Sequence, residues 1–99
     1  MNNAIVTPLY KREQWQRWVD LFADSDRMTP TFAEWMKDHI EDVTNYRQQG
    51  YVVHEVEVDI DGYISWARSK SLPVNGATRA DYPIHLLAER MNDAGDFEH

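Results

Sequence analysis

Residues Tyr51 to Ile60 read YVVHEVEVDI, the one long run in this chain whose alternation specifies a β-strand. Successive side chains in a strand point to opposite faces. Val52, His54, Val56, Val58 and Ile60 therefore share one face, and Tyr51, Val53, Glu55, Glu57 and Asp59 share the other. The first is a core face; the second is acidic and wet. Everything else in the chain has to supply a cover for the first face and a partner for the strand's edge.

Working outward toward the N-terminus, the helix before the strand is well specified. Thr29-Pro30 and Thr31-x-x-Glu34 are overlapping start signals, an N-cap with proline at the first helical position and a capping box. Phe32, Trp35, Met36, His39, Ile40, Val43 and Tyr46 then hold one face for four turns, and Gly50 stands where a left-handed cap would close the helix. Further upstream, Trp15, Trp18, Val19 and Phe22 recur at i, i+3, i+4 and i+7, which predicts an amphipathic helix over Lys11 to Phe22, with the polar run Ala23 to Arg27 as a loop. Ala4 to Leu9 is apolar and partly β-branched but contains Pro8, which cannot donate to a ladder, so it reads as a short strand at the sheet edge or one that ends at the proline.

On the other side, Asp59 or Asp61 can cap a short helix carrying Tyr63, Ile64, Trp66 and Ala67 that ends before Leu72-Pro73. Asn75 is the next N-cap. Ala77, Ala80, Ile84, Leu87, Ala88 and Met91 keep one helical phase across Pro83, which predicts a single helix kinked there or two short helices in register. The fold class is thus α+β: a helix-rich single domain over residues 1–91 in the order β-α-α-β-α-α, followed by a flexible acidic tail from Asn92 to His99. The long crossover suits a small parallel two-stranded sheet. Two strands alone are marginal in water, so helices cover the pair or a second copy extends the sheet by dimerisation.

Composition narrows the function. Ninety-nine residues suffice for one modest core, and four Trp, five Tyr and three Phe point to an aromatic one. Seventeen acidic against ten basic residues leave a net charge of -7, which argues against direct nucleic-acid binding and favours a basic partner. The longest apolar runs, such as Ala4 to Val6, are too short for a membrane span or a signal-peptide core, and the expected location is the cytoplasm. Without cysteine there is no disulfide, thiolate metal site or cysteine nucleophile.

Few motifs carry chemistry. Glu57 to Ser65, EVDIDGYIS, has the middle of an EF-hand loop, but Arg68 falls where the bidentate glutamate is needed and a strand precedes it, so helix capping by Asp59 and Asp61 is the better account. Asp38, His39, Glu41 and Asp42 crowd potential ligands into a short stretch of helix. His39 lies on the apolar face and Asp42 on the solvent side, however, so they do not converge. His54 points with the valines and reads first as a packing residue. The glycines are isolated, and no phosphate loop, zinc-protease or nucleophile-elbow motif can be written. Trp15, Trp18 and Trp35 read as core, whereas Trp66 on its short helix is the tryptophan most suited to an interface.

The segment VEVDIDGYISWARSKSLPVNGATRADY, Val56 to Tyr82, resembles small uncharacterised bacterial proteins that share a strand, an acidic turn, an aromatic-x-x-Trp helix, a Leu-Pro turn and an Ala-Arg-x-x-aromatic helix; the similarity reaches upstream to Phe32-x-x-Trp35. Those proteins carry alanine where this chain has Pro83. The resemblance implies a fold and no activity.

The function expected from the sequence is a small acidic, non-enzymatic protein-binding module that docks on another protein or on itself as a homodimer, with no catalytic residue, cofactor or metal. Its interaction face is Tyr51, Val53, Glu55, Glu57 and Asp59, joined by Trp66. One alternative is an inhibitor or nucleic-acid mimic of the kind mobile elements encode, with carboxylates standing in for phosphates. Another is a ligand- or metal-binding protein or enzyme using His54 and the Asp38 to Asp42 turn.

Overall fold

A computed structural model describes residues 3–23 and 27–96, apart from the side chains of 92–96. Residues 24–26, in the predicted loop, lie outside the described residues. Strand β1 (Ala4–Tyr10) leads through a 3₁₀ turn (Arg12–Gln14) into helix α1 (Trp15–Leu21), then α2 (Phe32–Gln48), strand β2 (Val52–Val58), α3 (Ile60–Ser69) and α4 (Gly76–Asp96). The strands pair in parallel, with Ala4 beside Val52 and Tyr10 beside Val58. The α+β class, the element order and the parallel two-stranded sheet are those the sequence predicts.

Local signals place the helix starts. Of the two candidates for α2, Thr31 is the cap: its Oγ1 accepts from the Glu34 amide at 3.1 Å, and Thr29-Pro30 stays outside the helix. Gly50 adopts φ +92° just beyond the helix, a conformation that costs glycine little. Asp59, not Asp61, caps α3 by accepting from the Gly62 amide at 3.0 Å. Asn75 and Thr78 form a reciprocal box at the start of α4, the Thr78 amide donating to Asn75 Oδ1 at 3.0 Å and the Asn75 amide to Thr78 Oγ1 at 3.2 Å. The Thr78 hydroxyl donates to the Pro73 carbonyl at 2.7 Å, which leaves it to accept from the Tyr63 hydroxyl, also at 2.7 Å. That buried contact ties α3 to α4.

The core gathers at the carboxyl end of the strands. Tyr10, Trp15, Trp18, Phe22, Val58, Ile60, Tyr63 and Tyr82 are buried together, with Phe32, Trp35, Trp66 and Leu86 packed around them. Tyr10 sits edge-on to Trp15, Trp18 and Trp35 at 5.0 to 5.5 Å between ring centres. Burial pushes the Tyr10 hydroxyl up to a pKa of about 12.

Pro83 lies inside one helix and is fully buried, so of the two alternatives for α4 the single helix holds. Two expectations change. The helix continues to Asp96, which moves the predicted tail boundary: once nucleated, a helix propagates through residues such as Asn, Asp and Ala at small cost. Residues 97–99 lie outside the described residues. Finally, His54 is exposed instead of packed among the valines. Alternation puts it on the right face, but that face is covered only from Val56 onward.

Candidate functional site

Each residue of the sequence-predicted face has a distinct environment. Tyr51 is half-buried against Tyr46, their rings 5.6 Å apart and perpendicular. Glu55 is engaged from α2: His39 Nε2 lies 2.7 Å from its Oε1 and Arg47 Nη2 3.5 Å from its Oε2. His39 is itself buried and stacked on Trp35 at 4.8 Å. The acidic face read as wet is therefore partly covered by α2. The contact joins residues sixteen apart in sequence, which periodicity along one element does not report.

Asp59 is committed to structure as well. Besides capping α3, it accepts from Gln14 Nε2 at 2.6 Å and from Lys11 Nζ at 3.5 Å, while Gln14 Oε1 accepts from the Ile60 amide at 2.9 Å. The Gln14 and Gly62 hydrogen bonds, in that order, hold the Asp59 carboxyl below the ordinary carboxylate range. Next to it, Arg17 grips both oxygens of Asp61 at 2.6 and 3.3 Å. Nothing in the sequence around Gln14 signals this role; it appears only when the 3₁₀ turn is folded onto the β2–α3 junction.

Glu57 is the most loosely held carboxylate of the set. Its side chain is 63 % exposed, and the nearest cation, Lys11 Nζ, stands 4.0 Å away. Val53 is half-buried on the same strand face. Trp66 is half-buried and spatially separate in character, packed against Tyr82 at 5.3 Å and His85 at 5.4 Å. It serves the core more than the sequence suggests.

The strand edges differ in a way the backbone dictates. The Val52 amide donates to the Asn3 carbonyl at 2.9 Å, and a parallel strand turns alternate residues toward its partner. With the observed register, Val52, His54, Val56 and Val58 face β1, leaving the amides and carbonyls of Val53, Glu55 and Glu57 directed outward. On β1 the outward set is Ala4, Val6, Pro8 and Tyr10. Pro8 thus sits where its missing N–H costs no ladder bond, and it also blunts that edge. Among the described residues no backbone hydrogen bond reaches the outward groups of β2.

The residues of the catalytic or metal alternative are not brought together. Asp38, Glu41 and Asp42 are exposed on α2, His39 turns inward to Glu55, and His54 lies on the open part of the sheet. Among the described residues no group of three or more His, Asp or Glu side chains converges on a metal-sized site. A cavity of about 230 Å³ is lined by Val19, Ala23, Arg27, Met28 and Pro30, and Arg27 Nε donates to the Ala23 carbonyl. Among the described residues its lining includes neither a carboxylate nor a histidine.

No helix among the described residues is long and apolar enough to cross a membrane. Compared with known proteins, the chain matches no family model, no curated protein and no solved structure. Function has therefore to be argued from the surface itself.

Proposed function

We propose that this protein is a small non-catalytic binding module that docks an extended segment of a partner protein along the outer edge of β2. The observation that supports it is the outward-directed backbone of Val53, Glu55 and Glu57 on a sheet of only two strands, opposite an edge blunted by Pro8. Main-chain groups of this kind give affinity to an added strand, and flanking side chains select it. Glu57 beside the edge and a net charge of -7 favour a basic segment.

The reading is tested with an isotopically labelled sample titrated with a synthetic extended peptide of alternating Lys and Val. Amide shifts are expected at Val53, Glu55 and Glu57, with binding weakened by salt. Val53→Pro copies the device at Pro8 and should abolish binding without unfolding the sheet, because the Val53 N–H points outward. Glu57→Lys is the clean charge reversal; reversing Glu55 would also strand the buried His39. Shifts scattered away from β2, or binding undiminished in Val53→Pro, would sink the proposal.

A further inference from the structure

The turn between α3 and α4 holds a dipeptide with chemistry of its own. Of the five asparagines, Asn2, Asn3, Asn45 and Asn92 precede Asn, Ala, Tyr and Asp, and only Asn75 precedes glycine. Because Gly76 has no Cβ, its backbone nitrogen meets little steric resistance in approaching the side-chain carbonyl carbon of Asn75. Asn75 is thus the asparagine most open to attack by its own chain. Asp61-Gly62 is the matching acidic pair, but it lies inside α3, where Arg17 grips the carboxylate at 2.6 Å and the Gly62 amide donates to Asp59. An ionised carboxylate is also a poor electrophile.

The fold restrains Asn75 at three points from the first turn of α4. Its Oδ1 accepts from the Thr78 amide at 3.0 Å, its own amide donates to Thr78 Oγ1 at 3.2 Å, and its carbonyl accepts from the Arg79 amide at 3.0 Å. Bringing the Gly76 nitrogen onto Asn75 Cγ requires rotation about the Cα–C and Cα–Cβ bonds of Asn75. The first carries the carbonyl away from Arg79 and the second takes Oδ1 from Thr78, so the chain can attack itself only when the cap is open. Opening and closing of a helix end is fast beside an amide substitution, and the rate therefore follows the equilibrium population of the open form. Thr78 governs that population, since its hydroxyl also joins the Pro73 carbonyl and the buried Tyr63 hydroxyl, each at 2.7 Å.

We propose that Asn75 is a self-modification site whose deamidation is gated by the α4 cap. In the open form the Gly76 nitrogen gives up its proton to a solvent base and bonds to Asn75 Cγ; the bond from Cγ to the side-chain nitrogen breaks, and ammonia leaves. Water then hydrolyses the resulting cyclic imide at either carbonyl. Attack at Cγ leaves aspartate on the normal main chain, still a competent N-cap whose charge suits a helix N-terminus. Attack at the backbone carbonyl leaves isoaspartate, which routes the main chain through Cγ, adds a methylene to it and cannot rebuild the box. The loss of ammonia is irreversible in dilute solution, so the isoaspartyl form accumulates with age and loosens α4 where Tyr63 and Thr78 tie it to α3. None of this depends on docking at the β2 edge.

The test holds the full chain at mildly alkaline pH for weeks and maps it by peptide mass spectrometry, with isoaspartate and aspartate separated chromatographically. Conversion should concentrate at Asn75, give both products, and run many-fold faster in unfolding urea. Well below the unfolding midpoint the rate should stay nearly flat with urea, because a local opening exposes little surface. Thr78→Val should speed conversion several-fold with the same flat dependence, Thr78→Ser should restore the wild-type rate, and Gly76→Ala should slow conversion even in urea. The purified isoaspartyl form should melt below wild type, whereas Asn75→Asp should not. A rate that climbs from the first addition of urea means opening by global unfolding and overturns the inference. A Thr78→Val rate equal to wild type, a native rate equal to that in unfolding urea, or conversion led by another asparagine does the same.

Discussion

Val52 and Val58 lie on the same face of the same strand, yet Val52 is 50 % exposed and Val58 1 %. Their β1 neighbours follow suit: Ala4 beside Val52 is exposed, and Tyr10 beside Val58 is buried. At the closed end, rings from α1, α2, α3 and α4 converge on the strands; at the open end the same pleat meets solvent. The difference teaches that this chain concentrates its large side chains at one end of a minimal sheet. Burial and exposure are thereby assigned to opposite ends of two short strands.

The largest effect should come from emptying the closed end. Trp18 is 1 % exposed and lies between Tyr10, at 5.0 Å, and Tyr63, at 5.4 Å. Its indole N–H has no hydrogen-bond partner among the described residues, so Trp18→Ala loses packing and strands no partner. A cost of about 3–5 kcal/mol is expected, a large share of the stability of any small domain, read as a shift of the urea midpoint. A loss below about 1 kcal/mol would show that the aromatic cluster is not the source of stability. A smaller version of the same probe is Val58→Thr, which keeps the shape and buries a hydroxyl without a partner, at about 1–3 kcal/mol.

Gly62 tests how tightly α3 and α4 close over that end. A Cβ on Gly62 would come within 2.6 Å of the Tyr82 hydroxyl, although alanine is ordinarily worth about 1 kcal/mol over glycine inside a helix. Gly62→Ala is expected to lose about 1–2 kcal/mol net through overpacking, and to become neutral or stabilising in a Tyr82→Phe background. If Gly62→Ala stabilises the unmodified protein, the Tyr82 ring yields and the closed end is looser than described.

How much of this was legible in the sequence follows from the range of each signal. Thr31, Asp59 and Asn75 act on amides three residues away, so the helix starts could be read locally. The alternation of β2 showed which residues share a face, but not how far along that face a cover extends, and His54 was therefore placed with the valines. The partnership of Glu55 with His39 and the bridge from Gln14 to Asp59 join distant segments; either side chain alone looks like solvated surface. For α4 the single phase of Ala77 to Met91 did not say which way it turns, and Tyr82, Pro83 and Leu86 form a second apolar stripe that such a reading passes over.

Asp59 stands at the hinge between the closed end and the edge, and its test is electrostatic. Its folded-state pKa is depressed, first by Gln14 and then by the Gly62 amide. It therefore adds stability at pH values above its ordinary pKa, and that stability disappears as pH falls through the lower folded value. Asp59→Asn keeps a competent N-cap, so at neutral pH the cost should stay below about 1 kcal/mol. The acid limb of the stability curve should flatten relative to wild type. An unchanged acid limb would mean that Asp59 titrates alike in the folded and unfolded chains.

The smallest effect belongs to the open end and bears most directly on the comparison. Val52→Thr makes the same chemical change as Val58→Thr on the same strand face, but the new hydroxyl meets water. The expected change is within about 0.5 kcal/mol, measured by the same denaturation experiment. If Val52→Thr instead costs as much as Val58→Thr, the amino-terminal half of the face is covered in solution. A cover supplied by a second copy would show as a penalty that falls as the protein is diluted. A penalty that is absent at every concentration keeps the two ends distinct and leaves the β2 edge beside Val52 accessible to a partner strand.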